Sequence, residues 1–265
     1  MKKLLVSLLV GLAVTVNPIT ATAANTPLFD TSKLDEGIVT ISCEADSRLK
    51  VIVDKAGQQV KYDLKNDGTT ETFPLQMGDG EYKLSVLENI GGTKYRYIST
   101  QVIGLDLEDD NQVYLTSVQN VNWNEDMETI KKAQEITKDL KSDSDKVKKI
   151  YEYIVSNIAY DYNKISTLQS NYVPNIDNII LSGKGICYDY ASVFAAMLRS
   201  QGIPIKLVKG YSTNVSGYHA WNEVYDSEAE KWVTIDTTYD AEQKAAGHAY
   251  SMIKETAHYS KVYEY

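Results

Sequence analysis

The hydrophobic pattern of this chain changes period once, near Trp123, and that change restricts the fold more than any other feature. From Gly37 to Trp123 apolar and polar residues alternate: Leu49, Val51 and Val53 against Lys50 and Asp54, then Tyr82, Leu84 and Val86 against Lys83 and Ser85. A period of two places one set of side chains on one face of a strand. Asn66-Asp67-Gly68, Gly78-Asp79-Gly80 and Gly91-Gly92 supply turns between the runs. An acidic loop is expected from Asp106 to Asn111, followed by a strand from Val113 to Val118. Short strands at this spacing indicate an all-β sandwich of immunoglobulin-like type.

Beyond Trp123 the period lengthens. Met127, Ile130, Ala133, Ile136 and Leu140 recur every three or four residues, and after Ser142 and Ser144 so do Val147, Ile150, Tyr151, Ile154 and Ile158. Two amphipathic helices are expected there. A loop from Asn163 to Pro174 and a short apolar segment, Ile176 to Leu181, lead to Gly183-Lys184-Gly185-Ile186-Cys187. A helix should then run from Cys187 to Ser200, because Ala191, Phe194, Ala195 and Leu198 form one stripe and Gly202 and Pro204 end it. Three strands complete the pattern, Ile205 to Tyr211, His219 to Tyr225 and Lys231 to Asp236. The fold class is α+β, with a β-sandwich domain over 24–122 and a second domain over 123–265.

Residues 1–23 read as a secretory signal peptide of bacterial type. Lys2 and Lys3 precede an apolar run from Leu4 to Val16, too short for the roughly 20 residues of a membrane span, and Ala21-Thr22-Ala23 is a small-x-small cleavage pattern. Export would take the formal charge from −9 to −11 by removing the two lysines. So acidic a chain, without a basic cluster, would repel a phosphate backbone, which argues against nucleic acid as partner. With no cysteine at the cleavage point and no second apolar run, the mature protein is expected to be unanchored, extracellular or loosely held at the cell wall. Fifteen of its 20 tyrosines lie between Tyr151 and Tyr265, where they suit both ordinary packing and clefts that hold polymers.

Only two cysteines are present. Cys43 follows Val39 and Ile41 in an alternating run and should face a core as a small hydrophobe, whereas Cys187 follows glycines and opens a helix, the setting of a nucleophile. Both are expected to be free thiols. Of three histidines, His248 and His258 lie in a polar C-terminal stretch without ligand spacing, while His219 begins a strand. If Asp226 to Ala229 form a four-residue turn, Tyr225 faces Glu230 and His219 lies directly opposite Asp236, with Cβ atoms about 5 Å apart. The chemistry of such a set is nucleophilic. Cys187 would attack, His219 would take and return its proton, and Asp236 would fix the imidazole tautomer. The Cys187 N–H would serve as an oxyanion donor, and Gly183 and Gly185 would let a substrate backbone approach. Glu223 and Asp240 are rivals to Asp236, set aside because one lies up the strand and the other beyond its end.

These residues resemble a known family. Gly183-Lys184-Gly185-Ile186-Cys187-Tyr188-Asp189-Tyr190-Ala191, Gly210-Tyr211, Tyr218-His219-Ala220-Trp221-Asn222-Glu223-Val224 and Lys231-Trp232-Val233-Thr234-Ile235-Asp236-Thr237-Thr238 are similar to the transglutaminase-like superfamily of papain-like cysteine enzymes, and Tyr160-Asp161-Tyr162 resembles a segment that often precedes its nucleophile. The resemblance implies a papain-like catalytic domain, with a Cys-bearing helix on an antiparallel sheet, and a triad of Cys187, His219 and Asp236. It implies a cysteine thioester resolved by water or by an amine, so that peptidases, amidases and protein cross-linkers are all covered. Hydrolysis of amide bonds in proteins or peptides, cell-wall peptides included, is slightly preferred, water being the default acceptor. The alternative is a surface-binding module with a relic triad. No cofactor or metal is expected: animal transglutaminases use calcium, but Asp106 to Asp110 lacks the ligand order of a calcium loop.

Overall fold

The computed structural model describes residues 26–169 and 171–265; the expected signal peptide lies outside them. The alternating stretch forms seven strands: β1 (Leu28–Asp30), β2 (Ile38–Ser42), β3 (Leu49–Lys55), β4 (Gln58–Leu64), β5 (Glu71–Pro74), β6 (Gly80–Gly91) and β7 (Lys94–Leu105). They make two antiparallel sheets, ordered β1-β2-β5 and β4-β3-β6-β7. The alternation decides the burial: Val51, Val53, Tyr82, Leu84 and Val86 join Val39, Ile41 and Phe73 in the core. Tyr82 pins the approach to β6, since its hydroxyl donates to carbonyl oxygens of the preceding turn, Leu75 and Gly78, and accepts from Met77 N–H, all at 2.8 Å.

The expected strand from Val113 to Val118 does not form. Its place is taken by a turn of 3-10 helix, Gln112–Tyr114, and a lone bridge between Val118 and Val121. Val113 and Tyr114 are both buried, side by side. A six-residue apolar run carries too little periodic signal to separate the two conformations, and here Thr116 closes the turn by donating to Val113 O at 3.0 Å.

The second part opens with α1 (Glu128–Thr137) and α2 (Asp143–Asn157), then β8 (Ala159–Tyr160), α3 (Tyr162–Ile165), α4 (Ile176–Ser182), β9 (Lys184–Gly185) and α5 (Cys187–Arg199). Ser142 caps α2 by accepting from Asp145 N–H at 3.1 Å. The cap of α1 comes from elsewhere: Asp177, in α4, accepts from the N–H groups of Thr129 and Glu128. The short apolar segment is thus a helix, and the expected loop after Asn163 begins inside one. The remainder is β10 (Ile205–Ser212), β11 (Val215–Asp226), β12 (Lys231–Ile235), α6 (Thr237–Ala245), β13 (Ile253–Lys254) and β14 (Tyr259–Glu264), with an antiparallel sheet ordered β13-β12-β11-β10-β14. The polar C-terminal stretch therefore supplies both sheet edges. The architecture is α+β throughout, with the β-sheets of the first part followed by a helix-and-sheet region.

Helix α5 is central. All its residues from Asp189 to Arg199 are buried, because it is enclosed by α1, α2, α4 and α6 and lies on β10 and β11. The core runs without interruption from the first part into this helix. Arg199 ties the junction, its buried guanidinium donating to the carbonyl oxygens of Thr116, Ile205 and Tyr265 at 2.8–3.2 Å.

Candidate active site

The start of α5 is built by local chemistry. Gly183 ends α4 in the left-handed conformation, φ +63°, and its neighbours pair with β8: Ala159 N–H donates to Gly183 O, and Asp161 N–H to Gly185 O. Ile186 is extended, and Asp189 reaches back to accept its N–H at 2.9 Å, the carboxylate half of a capping box. Asp189 is fully buried and also takes the Lys164 ammonium and the Tyr172 hydroxyl, each at 2.5 Å. Cys187 is the first helical residue, half-buried. Its N–H has no intrahelical acceptor by position, and the positive end of the helix dipole lies beside its sulfur.

The two glycines serve the chain itself. A Cβ on Gly185 would lie 2.7 Å from Cβ of Asp189, and one on Gly183 3.1 Å from Asn157 O. Both glycines are thus required by close packing around the cap.

His219 sits in β11 opposite Gly210, and Asp236 is the N-cap of α6, immediately after β12. The hairpin differs from the expected one. The turn is Ser227 to Glu230, with Asp226 opposite Lys231 and Asn222 opposite Ile235, so every pairing is displaced by two residues. The cause is local: Asp226 accepts from the N–H groups of Glu228 and Ala229, and Glu230 adopts φ +48°. A displacement of two keeps every side chain on its face. His219 and Asp236 meet diagonally instead of directly, and His219 Nε2 lies 2.8 Å from Asp236 Oδ2.

That pair is sealed from water, with His219 3% exposed and Asp236 0%. Asp236 Oδ1 accepts from Tyr239 N–H at 3.0 Å, and Oδ2 also accepts from the Tyr259 hydroxyl at 3.0 Å. The Trp221 ring stacks on His219 and leans on Tyr259. With Nε2 donating to the carboxylate, Nδ1 is the nitrogen left free on the His219 ring, and Cys187 acts on that ring by its hydrogen-bonding capacity and charge. Burial opposes charge on this imidazole, but the hydrogen bonds and charges of Asp236 and Cys187 outweigh it and raise its pKa to about 10. The structure thus joins His219 to Asp236, and Cys187 contributes to the raised pKa of that imidazole. The rivals are engaged elsewhere, Glu223 with Lys261 and Asp240 with Lys254 and Tyr151.

Tyr259 was not legible as a site residue: it lies in a strand that carries no apolar alternation, and only the sheet order brings it to Asp236. Gly210 was legible as a motif without a reason. Its Cβ would fall 2.1 Å from Ser260 O and 2.9 Å from the Trp221 ring, so the glycine lets β14 and Trp221 close on β10. Both cysteines are free thiols; burial raises the pKa of Cys43, helped by the charge of Glu88. Among the described residues no group of three or more His, Cys, Asp or Glu side chains is placed to hold a metal ion.

Comparison with known proteins places this geometry. YebA of Bacillus subtilis (strain 168), an uncharacterized protein, is 33% identical over 124 residues, which cover 40% of this chain but 17% of YebA. The chain therefore spans less than a fifth of that relative. Among solved structures, a candidate cysteine protease from Cytophaga hutchinsonii is similar at 17% identity and a TM-score of 0.43, over 81% of this chain and 72% of that one. Red sea bream transglutaminase is similar at 13% identity and a TM-score of 0.33, over 81% and 48%. The family model of the transglutaminase-like superfamily matches residues 130–237, a span that holds Cys187, His219 and Asp236.

Proposed function

We propose that this protein is a Cys-His-Asp thiol enzyme that acts on amide bonds of proteins or peptides through a thioester on Cys187. The observation that carries the reading is the buried 2.8 Å hydrogen bond between His219 and Asp236, and the half-buried Cys187 that opens α5 supports it. In the forward step His219 takes the Cys187 thiol proton, the sulfur lone pair forms the C–S bond and the carbonyl π pair moves to oxygen, where the Cys187 N–H can receive it. Collapse expels the amine, which takes a proton from His219. Water, deprotonated by the same imidazole, then adds to the thioester carbonyl, and collapse breaks the C–S bond to release the acid while the Cys187 sulfur takes back the proton from His219. Asp236 keeps Nε2 protonated and supports the imidazolium.

Hydrolysis is preferred to amine transfer because water is the default acceptor and Cys187 is only half-buried. The substrate class is a protein or peptide, cell-wall peptides included, met outside the cell after removal of residues 1–23. We divide the mature chain into 24–122 and 123–265 and read the first as an immunoglobulin-like sandwich, on the strand orders β1-β2-β5 and β4-β3-β6-β7 and the Tyr82 corner.

The test is a panel of proteins incubated with and without a fluorescent primary amine. New N-termini or deamidated side chains should accumulate faster than incorporated amine, and Cys187→Ala should remove turnover by several powers of ten. Faster amine incorporation would reverse the preference. No covalent change of any substrate, with Cys187 no more reactive to iodoacetamide than a free thiol, would leave a binding module with a relic triad.

A further inference from the structure

One arrangement of side chains recurs in this fold. Tyr172 donates to Asp189, and the Lys164 ammonium rests on both, 2.5 Å from the carboxylate and 4.5 Å from the ring centre. Tyr114 donates to Glu264 at 2.7 Å, with Lys206 3.3 Å from the carboxylate and 4.7 Å from the ring centre. Tyr151 donates to Asp240, which pairs with Lys254. Tyr259 donates to Asp236, which holds His219. In each case a phenol occupies part of a carboxylate and a basic side chain takes the rest, twice lying on the same ring. The fifth such pair differs. Tyr162 donates to Glu242, yet among the described residues no Lys, Arg or His side chain is paired with that carboxylate.

This pair faces a cleft of about 860 Å³, a size that suits a ligand or a substrate side chain. Tyr162 opens α3 and is 69% exposed, and Glu242 is half-buried in α6 on the opposite wall. The Tyr160 ring stands 4.8 Å from that of Tyr162, tilted by 60°. Burial raises the pKa of Tyr160 and the hydrogen bond to Glu242 raises that of Tyr162, so both rings are neutral at pH 7. Lys244, which also lines the cleft, is turned to Ser156 Oγ at 2.6 Å, and His248 lies on Gln243. The backbone ties this cleft to the candidate nucleophile. Tyr160 is paired with Gly185, two residues before Cys187. Tyr190, which lines the cleft from α5, follows Cys187 by three positions, so the two share a helix face with Cβ atoms about 5–6 Å apart.

Resting on the reading of Cys187 as nucleophile, we propose that this cleft is a substrate subsite for a basic side chain, Lys or Arg, whose charge is held by Glu242 and whose stem lies on the Tyr160 and Tyr162 rings. The substrate would complete at Glu242 the arrangement that the chain completes for itself at its other tyrosine and carboxylate pairs. The experiment incubates a denatured protein mixture with the full chain, as wild type, Glu242→Gln and Glu242→Lys, and reads cleaved or deamidated sites by mass spectrometry. With wild type, Lys or Arg should stand at one fixed position within about three residues of the converted bond, about three- to tenfold above its abundance in the mixture. Glu242→Gln should reduce that excess to below about twofold, and Glu242→Lys should favour Asp or Glu at the same position, both with unchanged circular dichroism. Converted sites without a basic excess overturn the proposal, as does an excess that neither substitution moves. No converted site in any protein overturns the enzyme reading, and this proposal with it.

Discussion

At the residue scale, the site is a balance between burial, which disfavours a charged imidazole, and two partners that favour it. His219 has its pKa raised to about 10 against an ordinary 6.5, through Asp236 and Cys187. A raised folded-state pKa contributes stability that is complete below about pH 6.5 and lost as pH rises through about 10. Urea midpoints of wild type and His219→Gln should therefore differ most at the acid end of that window and converge towards its alkaline end, by on the order of a few kcal/mol. A gap that stays constant across the window would show that the pair does not carry the difference. Tyr259 is the outer member of the network. Tyr259→Phe removes one hydrogen bond to a carboxylate, so kcat/KM should fall about tenfold with the fold intact; unchanged kinetics would make this hydroxyl a bystander.

At the element scale, the start of α5 and the register of β14 depend on two glycines whose motif was visible but whose function was not. Gly185→Ala presses a methyl within 2.7 Å of Asp189 Cβ and disturbs the cap at the helix start that carries Cys187. Denaturant unfolding should report a loss of about 1–3 kcal/mol, with slower alkylation of Cys187. Gly210→Ala has no room at all, 2.1 Å from a backbone carbonyl. It should displace β14, and Tyr259 with it, and lower the yield of folded protein. Helix α1 depends on a residue of another element, so Asp177→Ala should cost about 1 kcal/mol although it lies 48 residues from Thr129.

At the scale of the whole molecule, one continuous core and the Arg199 junction join the N-terminal β-sheets to the helix-and-sheet region. Arg199→Met leaves buried carbonyls without donors and should destabilise the chain by about 3 kcal/mol or more, measured by thermal or urea unfolding. Both thiols are free, so alkylation under denaturing, non-reducing conditions should add two alkyl groups to the intact mass; addition only after reduction would reveal a bridge and sink this expectation. Two kinds of information separate here. The sequence alone determined the two periods, the helix opening at Cys187 and the common face of His219 and Asp236, because periodicity and face parity are local and survive a displaced hairpin. Only tertiary structure decided the pairing itself, which Asp226 and the left-handed Glu230 moved by two residues. It also decided the turn at Val113 and the C-terminal strand that brings Tyr259 to Asp236. Those contacts join segments far apart in the chain, and which segments meet depends on how sheets and helices pack, a property that no local pattern of side chains records.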